Sequence, residues 1–568
     1  MPKTEVSWNR EQNTIETAGP DIPVQPKDWE SAVEPEQEAS PRTKPKQNGE
    51  RFRLLRNIGA LAVCPMEGGQ SEIRLIRDAA ILWKGDTILY AGEESGLREW
   101  FHIHGPSDSQ KGTSDSNEGI TNRSEGSGNE ISGITNGSRG SSTGTAAASD
   151  SGTMSDFHYG PAEEQTEVFD ACGRLVVPGL IDCHTHLAFG GWRPDEFEMR
   201  SLGKTYEEIA AAGGGILSTM KATREITEDA LLDKSADLLH RIMSLGVTTI
   251  ECKSGYGLDP QQELKQLWVY RRLQEQSPVR ILSTFLGAHA IPPEYSDDRE
   301  GYISLVINEM MPRVLEHDLA VFCDVFADVP AFTVKEAEKI LLAAKAVGLI
   351  PKIHADQLTE CGGAELAARV EAISADHLEC ISNAGIQAMK EAGTVAVSLP
   401  LATWYLRKKP MPARLMIRAG VPVAVSTDFN PGSAPSYHLP LAMHLACTLQ
   451  YMSPAEVLKG ATIYAAAALG LDGIAGSIES GKKADFVEID AGAGADKNAA
   501  AGADVKGGAD VKGDAVQNGG AVRGGGAVGM NQLSEEGNPV NQWMYHFQAD
   551  CAVRVWAGGE CVVSKNEL

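Results

Sequence analysis

The stretch Pro178-Gly179-Leu180-Ile181-Asp182-Cys183-His184-Thr185-His186 closes an apolar run with two histidines one residue apart. The run over residues 175–181 is short and interrupted only by its Pro-Gly pair, which predicts one buried strand. Residues i and i+2 of an extended chain point to the same side, so His184 and His186 can aim two imidazoles at one point. Because neutral imidazole binds zinc and related metals, this strand end is a candidate metal site.

The composition limits the classes of protein to which the chain can belong. Its 568 residues predict two or more domains. The formal net charge of −26 argues against a nucleic-acid-binding protein, since such proteins usually carry a basic patch. No apolar run is long enough to span a membrane, residues 1–50 lack the apolar segment of a secretory signal, and the ten cysteines lack framework spacing. We therefore expect a cytoplasmic protein with reduced thiols.

Three segments have a composition that is poor in apolar residues. Residues 1–50 are predicted to be a disordered tail. Residues of about 105–159 and 491–538 are rich in Gly and small or polar residues, with short repeats that start at Gly119 and Gly133 in the first and at Gly502 and Gly508 in the second. Such segments bury too little apolar surface to offset their ordering entropy, so flexible surface insertions are predicted, with a partner-binding segment as the alternative.

Between the two insertions, apolar strand-like runs alternate with helical patterns such as Asp229 to Leu245, Lys335 to Ala346 and Ala364 to Val370. The strand candidates after the first are Val247 to Lys253, Ile281 to Ala288, Ala320 to Phe326, Leu349 to His354, Ala372 to Ala375, Val395 to Leu399 and Val423 to Thr427. Eight strands over about 290 residues predict an α/β fold with a (β/α)₈ TIM-like barrel over residues 178–473. A doubly wound open sheet is the alternative; the barrel is favoured because polar residues recur at many strand ends.

Strand patterns also flank the predicted barrel on both sides. Before it come Ala60 to Val63, Ala79 to Trp83 and Thr87 to Ala91, with Gly85-Asp86 as a hairpin turn. After it come Ala484 to Ile489, Ala552 to Trp556 and Glu560 to Val563. We expect residues 51–177 and 474–568 to form one small composite β-domain, with each insertion as a loop of that domain.

Two further strand ends carry residues that suit the same metal site. His354 ends the fifth strand candidate and Asp428 follows the eighth. Taken singly, a histidine of this kind is more often a satisfied core residue and an aspartate a turn or helix-cap residue. Together with His184 and His186 they offer three imidazoles and a carboxylate, which fits a catalytic zinc or iron site. The hypothesis requires His184 and Asp428 to lie within about 8 Å of each other, since metal–ligand bonds are about 2 Å long.

Other polar residues follow further strand candidates. Arg193 and Tyr256 could hold a substrate carboxylate, and His289 or His377 could polarise a carbonyl beside the metal. The alternative for each is local: a surface arginine, a turn tyrosine or a capped histidine. The glycine run over 213–215 lacks the Gly-Lys-Ser/Thr that would follow in a phosphate-binding loop, so a close-packed or mobile turn is predicted.

These residues resemble the amidohydrolase superfamily and, more closely, its imidazolonepropionase family. The resemblance covers about residues 51–104 and 160–490 and the last strands, but not the tail or the insertions. Besides the opening stretch, the motifs that carry it are Phe189-Gly190-Gly191-Trp192-Arg193 with Glu196-Phe197-Glu198, Tyr206-Glu207-Glu208-Ile209 with Gly213-Gly214-Gly215-Ile216, Lys253-Ser254-Gly255-Tyr256-Gly257-Leu258, Thr284-Phe285-Leu286-Gly287-Ala288-His289, His354-Ala355-Asp356-Gln357-Leu358, Ala375-Asp376-His377-Leu378-Glu379 and Ser426-Thr427-Asp428-Phe429-Asn430-Pro431-Gly432-Ser433.

The resemblance implies hydrolysis of the cyclic amide 4-imidazolone-5-propanoate to N-formimidoyl-L-glutamate, the third step of histidine degradation, with one zinc or iron ion per chain in a homodimer. It implies metal binding by His184, His186, His354 and Asp428, catalytic roles for Asp428, His289 and His377, and substrate contacts from Arg193, Tyr256, His289, His377, Gln357, Asn430 and Gly432. We expect Asp428 to take the proton of the attacking water and His289 or His377 to stabilise the oxyanion.

The chain departs from the family pattern at one position. Some members carry a glutamate three residues after the strand-five histidine, where this chain has Gln357, which cannot act as a carboxylate base. The same residue disfavours the first alternative, a purine or pyrimidine deaminase of the superfamily. No lysine stands at the end of strand four, so one metal ion is expected rather than two. The second alternative, a non-catalytic scaffold, is disfavoured because all four ligands are present.

Overall fold

The computed structural model describes residues 6–9, 14–17, 51–104, 166–204, 208–209, 214–329, 331–491, 538–546 and 551–565. The predicted insertion over 105–159 lies wholly outside the described residues, and so does the insertion over 491–538 except at its first and last positions. Tyr206, Glu207 and Gly213 also lie outside them. Of the predicted disordered tail, the two described segments form an antiparallel strand pair, in which Val6 is opposite Thr17.

The described residues form strands with the following bounds. They are β1 (Val6–Asn9), β2 (Thr14–Thr17), β3 (Phe52–Val63), β4 (Arg74–Lys84), β5 (Thr87–Glu93), β6 (Thr166–Asp170), β7 (Leu175–Pro178), β8 (Leu180–Thr185), β9 (Val247–Lys253), β10 (Arg280–Ala288), β11 (Phe322–Ala327), β12 (Ile350–Ala355), β13 (Ser374–His377), β14 (Val395–Ser398), β15 (Val423–Val425), β16 (Phe486–Ile489), β17 (Ala552–Ala557) and β18 (Glu560–Ser564).

The helices lie mostly between the strands β8 to β15. They are α1 (Leu97–His104), α2 (Pro194–Ser201), α3 (Ile216–Glu225), α4 (Glu228–Met243), α5 (Pro260–Gln276), α6 (Arg299–Leu305), α7 (Met311–Glu316), α8 (Val334–Ala346), α9 (Gly363–Val370), α10 (Asn383–Ala392), α11 (Pro400–Tyr405), α12 (Ala413–Ala419), α13 (Leu439–Gln450), α14 (Pro454–Gly460), α15 (Ile463–Ala467) and α16 (Pro539–His546). Among the described residues, none of these helices is long and apolar enough to cross a membrane.

Strands β8 to β15 form a parallel barrel in sequential order, which confirms the predicted fold class. Some of the described helices begin at side-chain caps: Thr333 and Glu336 form a capping box at the start of α8, and Ser453 and Glu456 form another at α14. Nearly all residues of the barrel strands are buried, as is usual for a parallel sheet covered by helices. The open-sheet alternative is wrong, because the last strand meets the first.

Side chains complete the contact between β15 and β8. The carboxylate of Asp182 accepts hydrogen bonds from the hydroxyl of Ser426, from the backbone N–H of Thr427 at 3.0 Å and from the Thr427 hydroxyl at 2.7 Å. Further along, the N–H of Asp428 donates to the His184 carbonyl at 3.1 Å. Barrel closure therefore places Asp428 directly beside the first-strand histidines.

A second sheet contains strands from both ends of the described chain. Its order is β18-β17-β16-β7-β3-β4-β5, and β6 pairs with β3. The rings of Trp83, Phe486 and Trp556 pack together in its core, with centroids 5.1–5.6 Å apart. The strand predicted over Ala60 to Val63 is longer than expected, because β3 begins at Phe52.

The prediction of one strand over residues 175–181 is wrong. Residues 175–178 form β7 of the second sheet, where Leu175 pairs with Ile489 of β16, whereas β8 of the barrel starts at Leu180. Pro178 has no N–H to donate, which limits the ladder at that point. Between the two strands, Gly179 lies so close to Thr248 that a Cβ there would meet its Oγ1 at 2.2 Å. The chain therefore changes sheets at this Pro-Gly pair.

Candidate active site

Three predicted metal ligands meet at the C-terminal end of the barrel. His184 lies in β8, His186 follows it directly, and His354 lies in β12. One ring nitrogen of each lies within 4.8 Å of the others, and all three side chains are buried. They meet because the carboxyl ends of parallel barrel strands surround one common opening.

Asp428 completes this group from the loop after β15, which is the neighbour of β8 in the closed barrel. Its Oδ1 lies 3.4 Å from Nε2 of His184 and 3.5 Å from Nε2 of His186, well inside the 8 Å that the sequence hypothesis required. The backbone of Asp428 has a φ of 54°, in the left-handed region, which aspartate tolerates better than most residues. Its carbonyl accepts a hydrogen bond of 2.6 Å from the Asn430 amide, which stabilises this turn.

These residues fit a metal ion. Nε2 of His184 and Nε2 of His354 are buried without a hydrogen-bond partner among the described residues, which is unfavourable unless another group binds them. Ligands of a tetrahedral ion with bonds of about 2.1 Å lie about 3.4 Å apart. The distances from Asp428 to His184 and His186 agree with that value. A set of imidazoles and one carboxylate suits zinc or iron.

Two carboxylates contact the Nδ1 atoms of two of the predicted ligand rings. Nδ1 of His184 lies 2.6 Å from Oδ2 of Asp376 in a buried hydrogen bond. Nδ1 of His354 lies 3.0 Å from Oδ2 of Asp324, as a close contact that is not aligned as a hydrogen bond. Carboxylates in this position select the tautomer whose Nε2 is free to bind a metal.

A buried lysine contacts both of these carboxylates. Nζ of Lys253 lies 2.8 Å from Asp324, 3.5 Å from Asp376 and 2.7 Å from Glu251, and all four side chains are inaccessible to solvent. Burial alone would lower the pKa of Lys253, but the three carboxylates raise it above its ordinary value, so the ammonium is charged. None of these four residues was assigned a role from the sequence. The available signal was the presence of charged side chains in otherwise apolar barrel strands.

His377 also lies beside the group of predicted metal ligands. It is the last residue of β13 rather than a loop residue, and one of its ring nitrogens lies within 4.8 Å of His184 and Asp428 ligand atoms. Burial alone would lower the pKa of His377, but Glu379, with Asp428 and Asp376, raises it above its ordinary value. The nearest of these contacts joins Nδ1 to Oε2 of Glu379 over 3.8 Å.

His289 differs from His377, because its pKa is lowered rather than raised. Its Nδ1 lies 3.0 Å from the carbonyl oxygen of Gly255, and because a carbonyl only accepts, Nδ1 carries the proton. Burial, with a contribution from the neighbouring His354, lowers the pKa of His289 to about 3, so the ring is neutral and its Nε2 carries a lone pair. The ring stacks on that of His186, with centroids 5.1 Å apart.

Arg193 and Tyr256 lie at the same opening. Burial raises the pKa of Tyr256, and Arg193 and Asp428 are the charged groups whose fields act on its hydroxyl. Nε of Arg193 is buried without a hydrogen-bond partner among the described residues. The guanidinium packs directly on Gly432, where a Cβ would lie 1.2 Å from Nη2 of the arginine. The absence of a side chain at Gly432 is therefore what makes room for Arg193.

The remaining predicted substrate contacts have other neighbours. The Asn430 amide donates to the Asp428 carbonyl and to the Ser433 hydroxyl, and its oxygen accepts from the Gly432 N–H at 2.8 Å. Its hydrogen-bonding groups thus shape the turn after β15. Gln357 is half-buried on the loop after β12, where its carbonyl contacts Sγ of Cys380. Direct substrate contacts by Gln357 and Asn430 stay predictions.

Solved structures resemble the fold at low sequence identity. A guanine deaminase from E. coli has a TM-score of 0.58 at 14% identity, over 91% of this chain and all of that chain. An adenosine deaminase from Xanthomonas campestris, solved with bound zinc, has a TM-score of 0.55 at 16% identity, over 91% and 94% of the two chains. At these identities the likeness shows the fold alone.

Sequence relatives are much more similar. The imidazolonepropionase of Shouchella clausii is 52% identical over 327 residues, which cover 58% of this chain and 73% of that protein. The imidazolonepropionase of Geobacillus kaustophilus is 53% identical over 323 residues, which cover 57% and 76%. The model of the amidohydrolase family matches residues 175–518, more than half of the chain. The chain therefore belongs to the amidohydrolase family and, within it, to the family of imidazolonepropionases.

Proposed function

We propose that this chain hydrolyses 4-imidazolone-5-propanoate to N-formimidoyl-L-glutamate, as the names of its relatives in the histidine degradation pathway imply. The observation that carries the proposal is the convergence of His184, His186, His354 and Asp428 at the barrel opening, in a chain half identical to those relatives. In this reaction a water adds to the ring carbonyl, the ring carbon–nitrogen bond breaks, and the departing nitrogen receives a proton.

One zinc or iron ion per chain would be held by His184, His186, His354 and Asp428. When bound, such an ion supplies Lewis acidity and makes a coordinated water more acidic. The unpartnered ring nitrogens of His184 and His354 support this ligand set. His377 also lies near His184 and Asp428, and its Nδ1 faces Oε2 of Glu379 at 3.8 Å, so we assign to it a contact with the substrate rather than with the metal.

Asp428 is the proposed proton carrier. Burial raises the pKa of Asp428 to about 6, against the opposing effects of His377 and His354. A carboxylate with a pKa near neutrality can accept a proton from the attacking water and return it to the departing ring nitrogen. Gln357 cannot take this role because an amide is not a base at neutral pH, although it could donate a hydrogen bond to the ring.

His377 is the better candidate than His289 for stabilising the oxyanion. An oxyanion requires a hydrogen-bond donor, and the neighbouring carboxylates favour the protonated, doubly donating form of His377. The neutral His289 already donates its one N–H to Gly255, so its Nε2 can only accept. We therefore assign to His289 the acceptance of an N–H from the substrate ring.

Arg193 and Tyr256 are proposed to bind the propanoate carboxylate. A guanidinium can form a bidentate pair with a carboxylate, and the buried Nε of Arg193 is available to such a partner. The phenol of Tyr256 can add a neutral donor, because its raised pKa keeps it protonated. Holding the remote carboxylate positions the ring carbonyl for attack.

We further propose a cytoplasmic homodimer, with a barrel domain that ends at residue 473 and a small β-domain over 51–178 and 474–568. The boundary between them moves from the predicted residue 178 to Gly179, because Pro178 lies in β7 of the second sheet. The deaminase alternative draws no support from the solved deaminases, since their likeness at 14–16% identity is a likeness of fold.

The test measures metal content and turnover on the same purified protein. We expect one zinc or iron ion per chain and loss of imidazolonepropanoate absorbance, with both abolished in His354→Ala. A matched control is His444→Ala, because His444 lies on α13 and contacts the Met544 carbonyl instead of this site. Metal binding without turnover of imidazolonepropanoate, but with turnover of guanine or cytosine, would contradict the proposed substrate.

A further inference from the structure

One ammonium faces three carboxylates inside the barrel, below the metal ligands. Nζ of Lys253 lies 2.7 Å from Glu251 Oε1, 2.8 Å from Asp324 Oδ2 and 3.5 Å from Asp376 Oδ2. All four side chains have no exposed surface. Buried charges are costly unless they are paired, so these carboxylates rely on this ammonium for charge compensation. Asp376 also accepts a hydrogen bond from the Ser374 hydroxyl at 2.7 Å, and Asp324 accepts one from the His354 N–H at 3.2 Å.

Two of these carboxylates use the same oxygen atom for the lysine and for a ligand ring. Oδ2 of Asp376, which contacts Lys253, lies 2.6 Å from Nδ1 of His184. Oδ2 of Asp324, which also contacts Lys253, lies 3.0 Å from Nδ1 of His354. Two short chains of contacts therefore lead from one ammonium to two imidazoles on different strands.

Glu251 differs from the other two carboxylates. It accepts hydrogen bonds from the hydroxyl of Thr284 and from the N–H of Thr185 at 3.3 Å, and its carboxylate contacts no ligand ring among the described residues. Glu251 therefore contributes buried charge without orienting a histidine.

We propose that Lys253 is a positioning residue that sets the metal affinity of the site, because it holds Asp376 under His184 and Asp324 under His354. The inference rests on the metal site of the proposed function. Without the ammonium, the two aspartates repel each other, and the Oδ2 atom that faces each ring loses its contact with the lysine. The imidazoles then lose the orientation that directs both Nε2 atoms to one point, which is the usual effect of removing an outer partner of a metal ligand.

The competing explanation is that Lys253 only neutralises buried charge. A double variant separates the two explanations, because Glu251 carries charge but touches no ligand ring. Lys253→Met/Glu251→Gln removes one positive and one negative charge together and leaves the net charge of the cluster unchanged. If neutralisation is the whole role, this variant recovers wild-type metal affinity. If positioning is the role, it remains defective, because Asp324 and Asp376 still lack their shared cation.

The experiment measures zinc affinity of the full-length apoprotein by competition with a chromogenic chelator, with folding followed by circular dichroism. We expect Lys253→Met and the double variant to bind zinc about 10- to 100-fold more weakly than the wild type. The matched control is Lys459→Met, which removes another fully buried lysine. Its Nζ donates to the Gly69 carbonyl at 3.1 Å, away from the site, so its zinc affinity should stay within about twofold.

Each outcome decides the inference. A loss of less than tenfold in either Lys253 variant, or an equal loss in Lys459→Met, overturns it. If only the double variant folds, it decides. If the double variant does not fold, Asp324→Asn and Asp376→Asn decide, and wild-type zinc affinity in either of them overturns the inference that both aspartates orient ligand rings. A wild-type protein that binds neither zinc nor iron would instead refute the metal site of the proposed function itself.

Discussion

Replacing Gly432 by alanine should weaken substrate binding without unfolding the protein. A Cβ at this position would lie 1.2 Å from Nη2 of Arg193, whereas an ordinary contact of these atoms needs about 3.4 Å. The guanidinium must therefore move by roughly 2 Å. Because the obstructed atom is the far end of a flexible side chain and the φ of Gly432 lies outside the left-handed region, the backbone accepts the alanine.

The displacement moves the proposed anchor of the substrate carboxylate. Misplacement of a bound group by about 1 Å can cost about 100-fold in rate, so we expect kcat/KM to fall by at least about 10- to 100-fold, or about 1.4–2.7 kcal/mol. Steady-state kinetics with imidazolonepropanoate measure this loss of kcat/KM, which should appear mainly as an increase in KM. Gly473→Ala is the matched control, because a Cβ at Gly473 meets nothing within 4 Å.

A double-mutant cycle with Arg193→Lys tests the physical cause. Lysine lacks the Nη2 atom that a Cβ at position 432 would strike, so adding Gly432→Ala to Arg193→Lys should cost little more than Arg193→Lys alone. Fully additive losses, or an unchanged KM in Gly432→Ala, would refute the assignment of Arg193 as an anchor positioned by this glycine.

Three other substitutions test separate parts of the structure. Gly179→Ala should destabilise the fold by about 1–3 kcal/mol in denaturant unfolding, because its Cβ would meet Thr248 at the crossing between the sheets; a wild-type midpoint would contradict that packing. Asp182→Asn should lower the free energy of unfolding by about 1–3 kcal/mol, because the carboxylate of Asp182 accepts three hydrogen bonds and an amide has only one accepting oxygen. An unchanged free energy of unfolding would show that barrel closure does not need this carboxylate. His377→Gln should lower kcat about 100- to 1,000-fold with metal content retained, as loss of an oxyanion donor does; a loss in His289→Gln larger than that in His377→Gln would favour His289 as the donor.

Much of the architecture could be predicted from local patterns. Alternating apolar strands and amphipathic helices predict a barrel because each pattern reflects which face an element buries. Strand bounds were close, as for β9 over Val247–Lys253, which the structure matches at both ends. The error at residues 175–181 has a physical cause: burial looks the same in both sheets, and nothing local states that the chain changes partners at Gly179.

The candidate site also has a part that the sequence predicts and a part that only the tertiary structure shows. The residue types at the strand ends, such as His184, His186 and Asp428, follow from the sequence, since their order along the chain and the barrel's geometry bring them together. The charged cluster around Lys253 was not assigned a role, because its members are spread over three strands that are not consecutive in the sequence, and each charged residue in a buried strand looks like an exception to the apolar pattern. Only tertiary structure shows that these exceptions compensate one another.

The sequence by itself therefore determined which chemistry the chain can perform, because ligand types, their strand-end positions and the long family motifs are properties of the chain order. The tertiary structure decided which nitrogen of each ring faces the common point, which histidine donates and which accepts, and why Gly432 must lack a side chain. Those properties depend on contacts between residues far apart in sequence, such as His184 with Asp376 and Arg193 with Gly432, and no local pattern encodes them.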